Sequence, residues 1–141
     1  MKLQYRCAFV LACFPFGCGG APAGGQSGRT SMTAATPASL DGRSYEVTLE
    51  IPDASPVKDT LRFVNGKFES TACTSLGFPQ WSDYAARVDG REVAFHVLAK
   101  HPSGTTIDWN GSILGDGVDG KADRTTNGKT DVLRFKGSLR P

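Results

Sequence analysis

The sequence predicts a small all-β protein, an antiparallel eight-stranded up-and-down (meander) barrel following a cleaved signal and a flexible tether. Three observations predict the barrel. Across residues 40–141 apolar side chains recur at every second position, the period of a strand whose two faces differ. Turn signals such as Asn65-Gly66, Asp89-Gly90 and Asn127-Gly128 separate these runs at short intervals. No segment sustains a helical period. A meander of this kind leaves two unpaired edges, and closing it removes both.

The elements follow in order. Tyr45, Val47, Leu49 and Ile51 share one face of the first strand, and Pro52-Asp53-Ala54-Ser55-Pro56 ends it. Leu61 and Phe63 mark the second strand. Asn65-Gly66 then turns into a third strand at Phe68 and Ser70. Residues 72–81 read as irregular. Tyr84, Ala86 and Val88 give the fourth strand, Asp89-Gly90 the turn, and Val93, Phe95, Val97 and Ala99 the fifth. His101-Pro102-Ser103-Gly104 closes it. Ile107, Trp109, Gly111 and Ile113 form the sixth strand. The seventh reads as a short strand at Val118, Gly120 and Ala122, and Leu133, Phe135, Gly137 and Leu139 form the eighth. Gly111, Gly120 and Gly137 fall on the presumed inner face, which favours a barrel over an open sheet or sandwich, because strand glycines mark bends or close backbone approach. Closure requires the first strand to pair with the last.

Ahead of the barrel lies a different kind of sequence. Met1, Lys2 and Arg6 give a basic start, and residues 7–17 an apolar run. That run fits a secretory signal and is too short to span a membrane. Cys18 follows Gly17, and the chain then turns to Gly19-Gly20-Ala21-Pro22. Residues 19–39 hold no aromatic side chain, too little apolar surface to offset the entropy of ordering them. As a Gly-rich coil they reach about 25 Å. The sequence therefore divides into a signal (1–17), a tether (18–39) and a barrel domain (40–141).

The segment over residues 1–19 resembles a bacterial lipoprotein signal. In that family a lipobox ends in the cysteine that becomes the first mature residue and carries lipid on its thiol. Gly17 fits the last lipobox place, whereas Pro15 and Phe16 depart from the first two. Val10-Leu11-Ala12 before Cys13 fits the tripeptide better but leaves a shorter apolar run, so Cys18 is taken as the lipid attachment site and Cys13 as its alternative. The resemblance implies palmitate on the chain, a membrane anchor and a place in the cell envelope. With Gly19 and not Asp after the cysteine, it implies the outer membrane. The stretch 40–139 is also similar to a family of small exported barrel domains of unassigned activity. The residues that carry the likeness are Asp59-Thr60-Leu61-Arg62-Phe63, Asn65-Gly66-Lys67-Phe68, Ser70-Thr71-Ala72-Cys73, Trp109-Asn110-Gly111 and Phe135-Lys136-Gly137.

Charge excludes two classes of partner. The whole chain carries 16 basic and 14 acidic residues, and loss of Lys2 and Arg6 with the signal leaves the two balanced. No patch of like charge points to nucleic acid or to anionic lipid. The four cysteines do not form a disulfide framework. Cys7 and Cys13 fall in the signal and Cys18 at the anchor, so Cys73 stands alone and reads as a buried structural thiol.

Catalytic and metal motifs are absent from the sequence. His96 alternates away from Phe95 and Val97 towards solvent, and His101 sits in a turn, with no metal-ligand spacing around them. Asp116, Asp119 and Asp123 lack the alternate spacing of a calcium loop. No GxSxG stands in the chain, and no motif calls for a cofactor. Phe78, Trp81 and Tyr84 gather around the irregular segment, where they either rim a pocket mouth or plug the barrel end. Three functions follow: an envelope lipoprotein binding a small apolar ligand or another envelope component, a structural or interaction module with a filled barrel, and an enzyme without a recognisable motif. A cavity at the centre among Phe63, Phe68, Phe95 and Trp109 favours the first, and a packed centre favours the second. Oligomeric state is left open.

Overall fold

The computed structural model describes residues 35–141. The signal, Cys18 and most of the tether lie outside the described residues. The elements are β1 (Ser44–Glu50), β2 (Val57–Val64), β3 (Lys67–Ser70), α1 (Thr71–Ser75), β4 (Ser82–Asp89), β5 (Glu92–Lys100), β6 (Thr106–Leu114), β7 (Gly117–Thr126) and β8 (Lys129–Leu139). The strands pair antiparallel in chain order and close into a barrel. The closing ladder runs from Tyr45 opposite Leu139 to Glu50 opposite Arg134, as closure of the meander requires.

Turn chemistry sets these registers. At Asn65-Gly66 and Asn127-Gly128 both central residues have positive φ, the type I′ geometry that matches strand twist. The β4–β5 turn is displaced by one residue from the expected Asp89-Gly90. Asp89 pairs with Glu92, so Gly90 and Arg91 are central, and of the two only Gly90 has positive φ. That is the type II′ pattern, which places glycine first.

The inner faces meet in an aromatic core. Phe63 packs edge-on against Phe68 and Phe95, with ring centroids 5.3 and 5.2 Å apart. Phe68 continues to Trp109 at 5.4 Å, and Trp109 to Phe135 at 5.3 Å. Small residues make room for the large ones. A Cβ on Gly111 would sit 2.5 Å from Phe95 Cζ, and one on Gly120 2.7 Å from Phe135 Cζ. At the closing seam a Cβ on Gly137 would overlap the Glu46 carbonyl oxygen. The barrel centre is therefore packed, so the central cavity among Phe63, Phe68, Phe95 and Trp109 does not exist.

Three elements differ from the sequence reading. The segment read as irregular contains α1. The seventh strand is long, spanning Gly117–Thr126 and paired along its whole length on both sides. Its glycines, aspartates and polar end lower intrinsic strand preference, but two long neighbours supply a template that overrides it. The chain also joins the barrel before Leu40. Ala38 N donates to Ala86 O and Val88 N to Thr36 O, with a bridge between Pro37 and Arg87. These residues, expected in the tether, pair with the part of β4 that outruns β3, whose own ladder with β4 has two pairs.

Candidate functional site

In a meander successive turns alternate between the two ends of the barrel. One end carries the β2–β3, β4–β5 and β6–β7 turns, and the other the β1–β2 loop, α1 and the β5–β6 and β7–β8 turns. The site develops at the second end, where β3 stops early and α1 begins.

A buried carboxylate fixes α1 in place. Asp59, on the inner face of β2, accepts hydrogen bonds from Ser70 Oγ at 2.5 Å, Thr71 Oγ1 at 2.9 Å, Ala72 N at 2.9 Å and Thr60 N at 2.7 Å. Ser70 is extended and caps the helix, its Oγ accepting from Cys73 N at 3.1 Å. At the other end Gly77 N donates to Thr74 O, and Gly77 adopts φ +91°, which releases the chain from the helix. The helix is thus pinned at its start and free at its finish, where Leu76 is 67% exposed.

Between α1 and the barrel wall lies a pocket of about 570 Å³. Its walls come from Leu49 and Ile51 of the first strand and its loop, Ile107 and Trp109 of β6, and Leu133 of β8. Ala72, Cys73 and Leu76 line it from the helix side, and Val57 stands at the rim. Lys58 and Arg124 are its charged lining residues. Both the volume and the apolar walls with few polar groups match those of small-molecule sites. Trp109 is 1% exposed, and its Nε1 hydrogen has no acceptor. A buried donor left unpaired costs about 1–3 kcal/mol. A second hollow, about 410 Å³, lies on the outer face over Ala85, Ala94 and Ser112.

Cys73 is buried and free, as its sequence reading has it. Burial pushes its thiol up to about 11, with the Asp59 charge adding to the shift and the Ser70 hydrogen bond and Arg124 opposing it. Unfolding exposes a thiol of ordinary value, 9.0, which ionises first. This contribution to stability is complete below pH 9 and falls as pH rises from 9 to about 11, by about 2–3 kcal/mol in total. Urea midpoints measured from pH 8 upwards should decline more steeply in the wild type than in Cys73→Ala. Parallel curves would place the thiol in contact with water.

Of the three residues expected at a pocket mouth, Trp81 and Tyr84 line one open hollow of about 520 Å³, and Phe78 stands apart from it. Phe78 packs against the His101 ring, centroids 5.0 Å apart, beside the β5–β6 turn. Trp81 lies on the outer face with the Arg62 guanidinium 5.6 Å from its ring centroid. Arg62 in turn holds the buried Glu69 carboxylate at 2.9 Å. Tyr84 points into the opposite end of the barrel, 5.1 Å from Phe63. Its hydroxyl accepts from Leu40 N and donates to Asp41, both at 2.9 Å. The Gly66 backbone N–H and this Tyr84 hydroxyl hold the Asp41 carboxyl below its ordinary value. Phe78 is set apart because it lies at the α1 end of the barrel, beside the β5–β6 turn, whereas Tyr84 lies towards the other end. Of the lining residues, Leu49, Ile51, Ile107, Trp109 and Leu133 were individually visible as inner-face positions. Following each turn to its end of the barrel brings Leu49, Ile107 and Leu133 together.

Other sequence candidates stay dispersed. His96 faces outward and meets Asp108 at 2.8 Å. Asp123 pairs with Lys121, also at 2.8 Å, while Asp116 sits in the turn before β7. Among the described residues no group of three or more His, Cys, Asp or Glu gathers to hold a metal ion.

Fold and site together define a closed eight-stranded β-barrel with a filled aromatic centre and a small apolar pocket under a one-turn helix at one end. Comparison with protein-family models, with curated proteins and with solved structures yields no match.

Proposed function

We propose that the protein is a lipid-anchored envelope protein that binds a small apolar ligand in the pocket beneath α1. The observation that carries the binding is the pocket: apolar on its walls, with Lys58 and Arg124 as the charged residues of its lining. The anchor rests on the basic, apolar and small-residue order that leads to Cys18. Gly19 favours the outer membrane of a two-membrane bacterium. The packed centre favours a second reading, in which the barrel is a rigid interaction module and its outer surface does the work.

Native mass spectrometry of the mature chain from its own host separates the two. A small co-purifying mass that is lost when Ala72→Trp fills the pocket supports binding. A chain that carries no such mass, and whose phenotype survives Ala72→Trp, supports the interaction module. Radiolabelled palmitate tests the anchor. Label should vanish in Cys18→Ala, whereas label lost in Cys13→Ala and kept in Cys18→Ala moves the anchor to Cys13. Fractionation with the inner membrane would remove the assignment to the outer one.

A further inference from the structure

The charges around the pocket narrow the ligand further, on the footing of the binding function above. Lys58 and Arg124 line the pocket, and no carboxylate does. The nearby Asp59 is already committed to the start of α1, with donors on both of its oxygens. The Lys58 amine reaches Thr48 on the outer face at 2.8 Å, which leaves Arg124 as the cation of the inner wall. Arg124 has Asp131 at 3.2 Å from one terminal nitrogen. A guanidinium carries five N–H donors, so one carboxylate contact leaves others free.

Register brings Arg124 to Trp109. Trp109 pairs with Ala122 and Ile107 with Arg124, so Arg124 is the diagonal neighbour of Trp109 on the same inner face, one step closer to the mouth. Diagonal positions are about 7–8 Å apart, within reach of one another for an aromatic and a long side chain. The wall therefore sets the Trp109 ring beside a cation with donors to spare. Leu49, Ile51 and Leu133 supply apolar surface next to them.

We infer that the pocket takes a carboxylate on an apolar chain, its carboxylate accepting from the Arg124 guanidinium. Fatty-acid chemistry satisfies the pocket at both ends. The head accepts a charge-assisted hydrogen bond from Arg124, and the chain covers the aliphatic wall. An alcohol of the same length offers a weaker acceptor, and an ammonium offers none and meets a like charge.

The test uses the chain from residue 18 onward with Cys18→Ser, which carries no anchor, and three probes of equal length: decanoate, decan-1-ol and decylammonium. Calorimetry should give decanoate at least about tenfold tighter binding than decanol, with decylammonium weakest. Arg124→Gln should bring decanoate down to the level of decanol. In ¹⁵N spectra of the otherwise unaltered chain, decanoate should move the indole N–H signal of Trp109 and leave that of Trp81 in place. Trp81→Phe assigns the two signals, and this readout needs no change in the pocket. Equal affinity for decanoate and decanol, or an unmoved Trp109 signal on saturation with decanoate, overturns the carboxylate while the pocket still binds. Failure of all three probes to bind overturns the binding function with it.

Discussion

Truncation after residue 130 is expected to abolish cooperative unfolding, leaving a collapsed chain without a urea transition. The cut removes nearly all of β8, which pairs with β7 from Thr126–Lys129 to Gly117–Ser138 and with β1 from Tyr45 to Glu50. It therefore takes away two ladders and opens two long edges at once. It also removes Leu133 and Phe135, both buried, from adjacent positions on the β8 inner face. A peripheral strand would trim the stability of the domain and keep its transition. A truncated chain with an unchanged midpoint would show that β8 does not close the barrel.

Phe135→Ala should have the largest effect of any single truncated side chain on that strand, about 3–5 kcal/mol. Phe135 is 2% exposed and touches Phe95 and Trp109, and it fills the space left open by Gly111 and Gly120. Little can collapse into the void from the glycine side, because Gly111 and Gly120 have no side chain to move. Arg134→Ala, on the outer face one position away, should cost well under about 1 kcal/mol. The contrast measured by denaturant titration tests the alternation itself. The glycines add a second arm. Gly111→Ala in the wild type collides with Phe95 and Phe135, side chains on two other strands. Combined with Phe135→Leu, the same change should cost less than the sum of the two single effects, since the pair shares one space. Strict additivity would mean that the glycine is held for another reason.

Most of the barrel was legible because strand faces are written in period two, and because asparagine-glycine turns fix the register between neighbours. The inner positions of β1, β5, β6 and β8 followed directly, and closure of β1 on β8 was required by their matching apolar faces. Local signals failed where tertiary context decided. Helix α1 has five residues, too short for any periodicity to register, and its cap, Ser70, reads in the sequence as part of the third strand. Beyond Ala122 the inner face of β7 becomes polar at Arg124, so hydrophobic alternation ends while the strand continues to the rim. The pocket was missed for a related reason. Aromatic residues near an irregular stretch drew attention to Phe78, Trp81 and Tyr84, whereas Trp109 is the one aromatic residue of the lining and the rest comes from α1 and from strand ends far apart in the chain. Nothing in the sequence shows that the indole N–H of Trp109 lacks an acceptor, since that is a property of the assembled interior.

The contact between Thr36–Ala38 and β4 has a bearing on how copies of this protein behave towards each other. Closure of a barrel is only as complete as its shortest ladder, and here β4 runs on beyond the β3 hairpin. The carbonyl of Ala86 and the amide of Val88 are satisfied there by a peptide that comes from outside the meander. Shortened to begin at Leu40, the chain keeps every strand yet bares those groups, and main-chain ladders accept any extended partner, including β4 of another copy. Self-association then arises from the trimming, not from the domain. Where copies are crowded, the same few residues serve as a sheath, keeping neighbouring molecules from joining strand to strand.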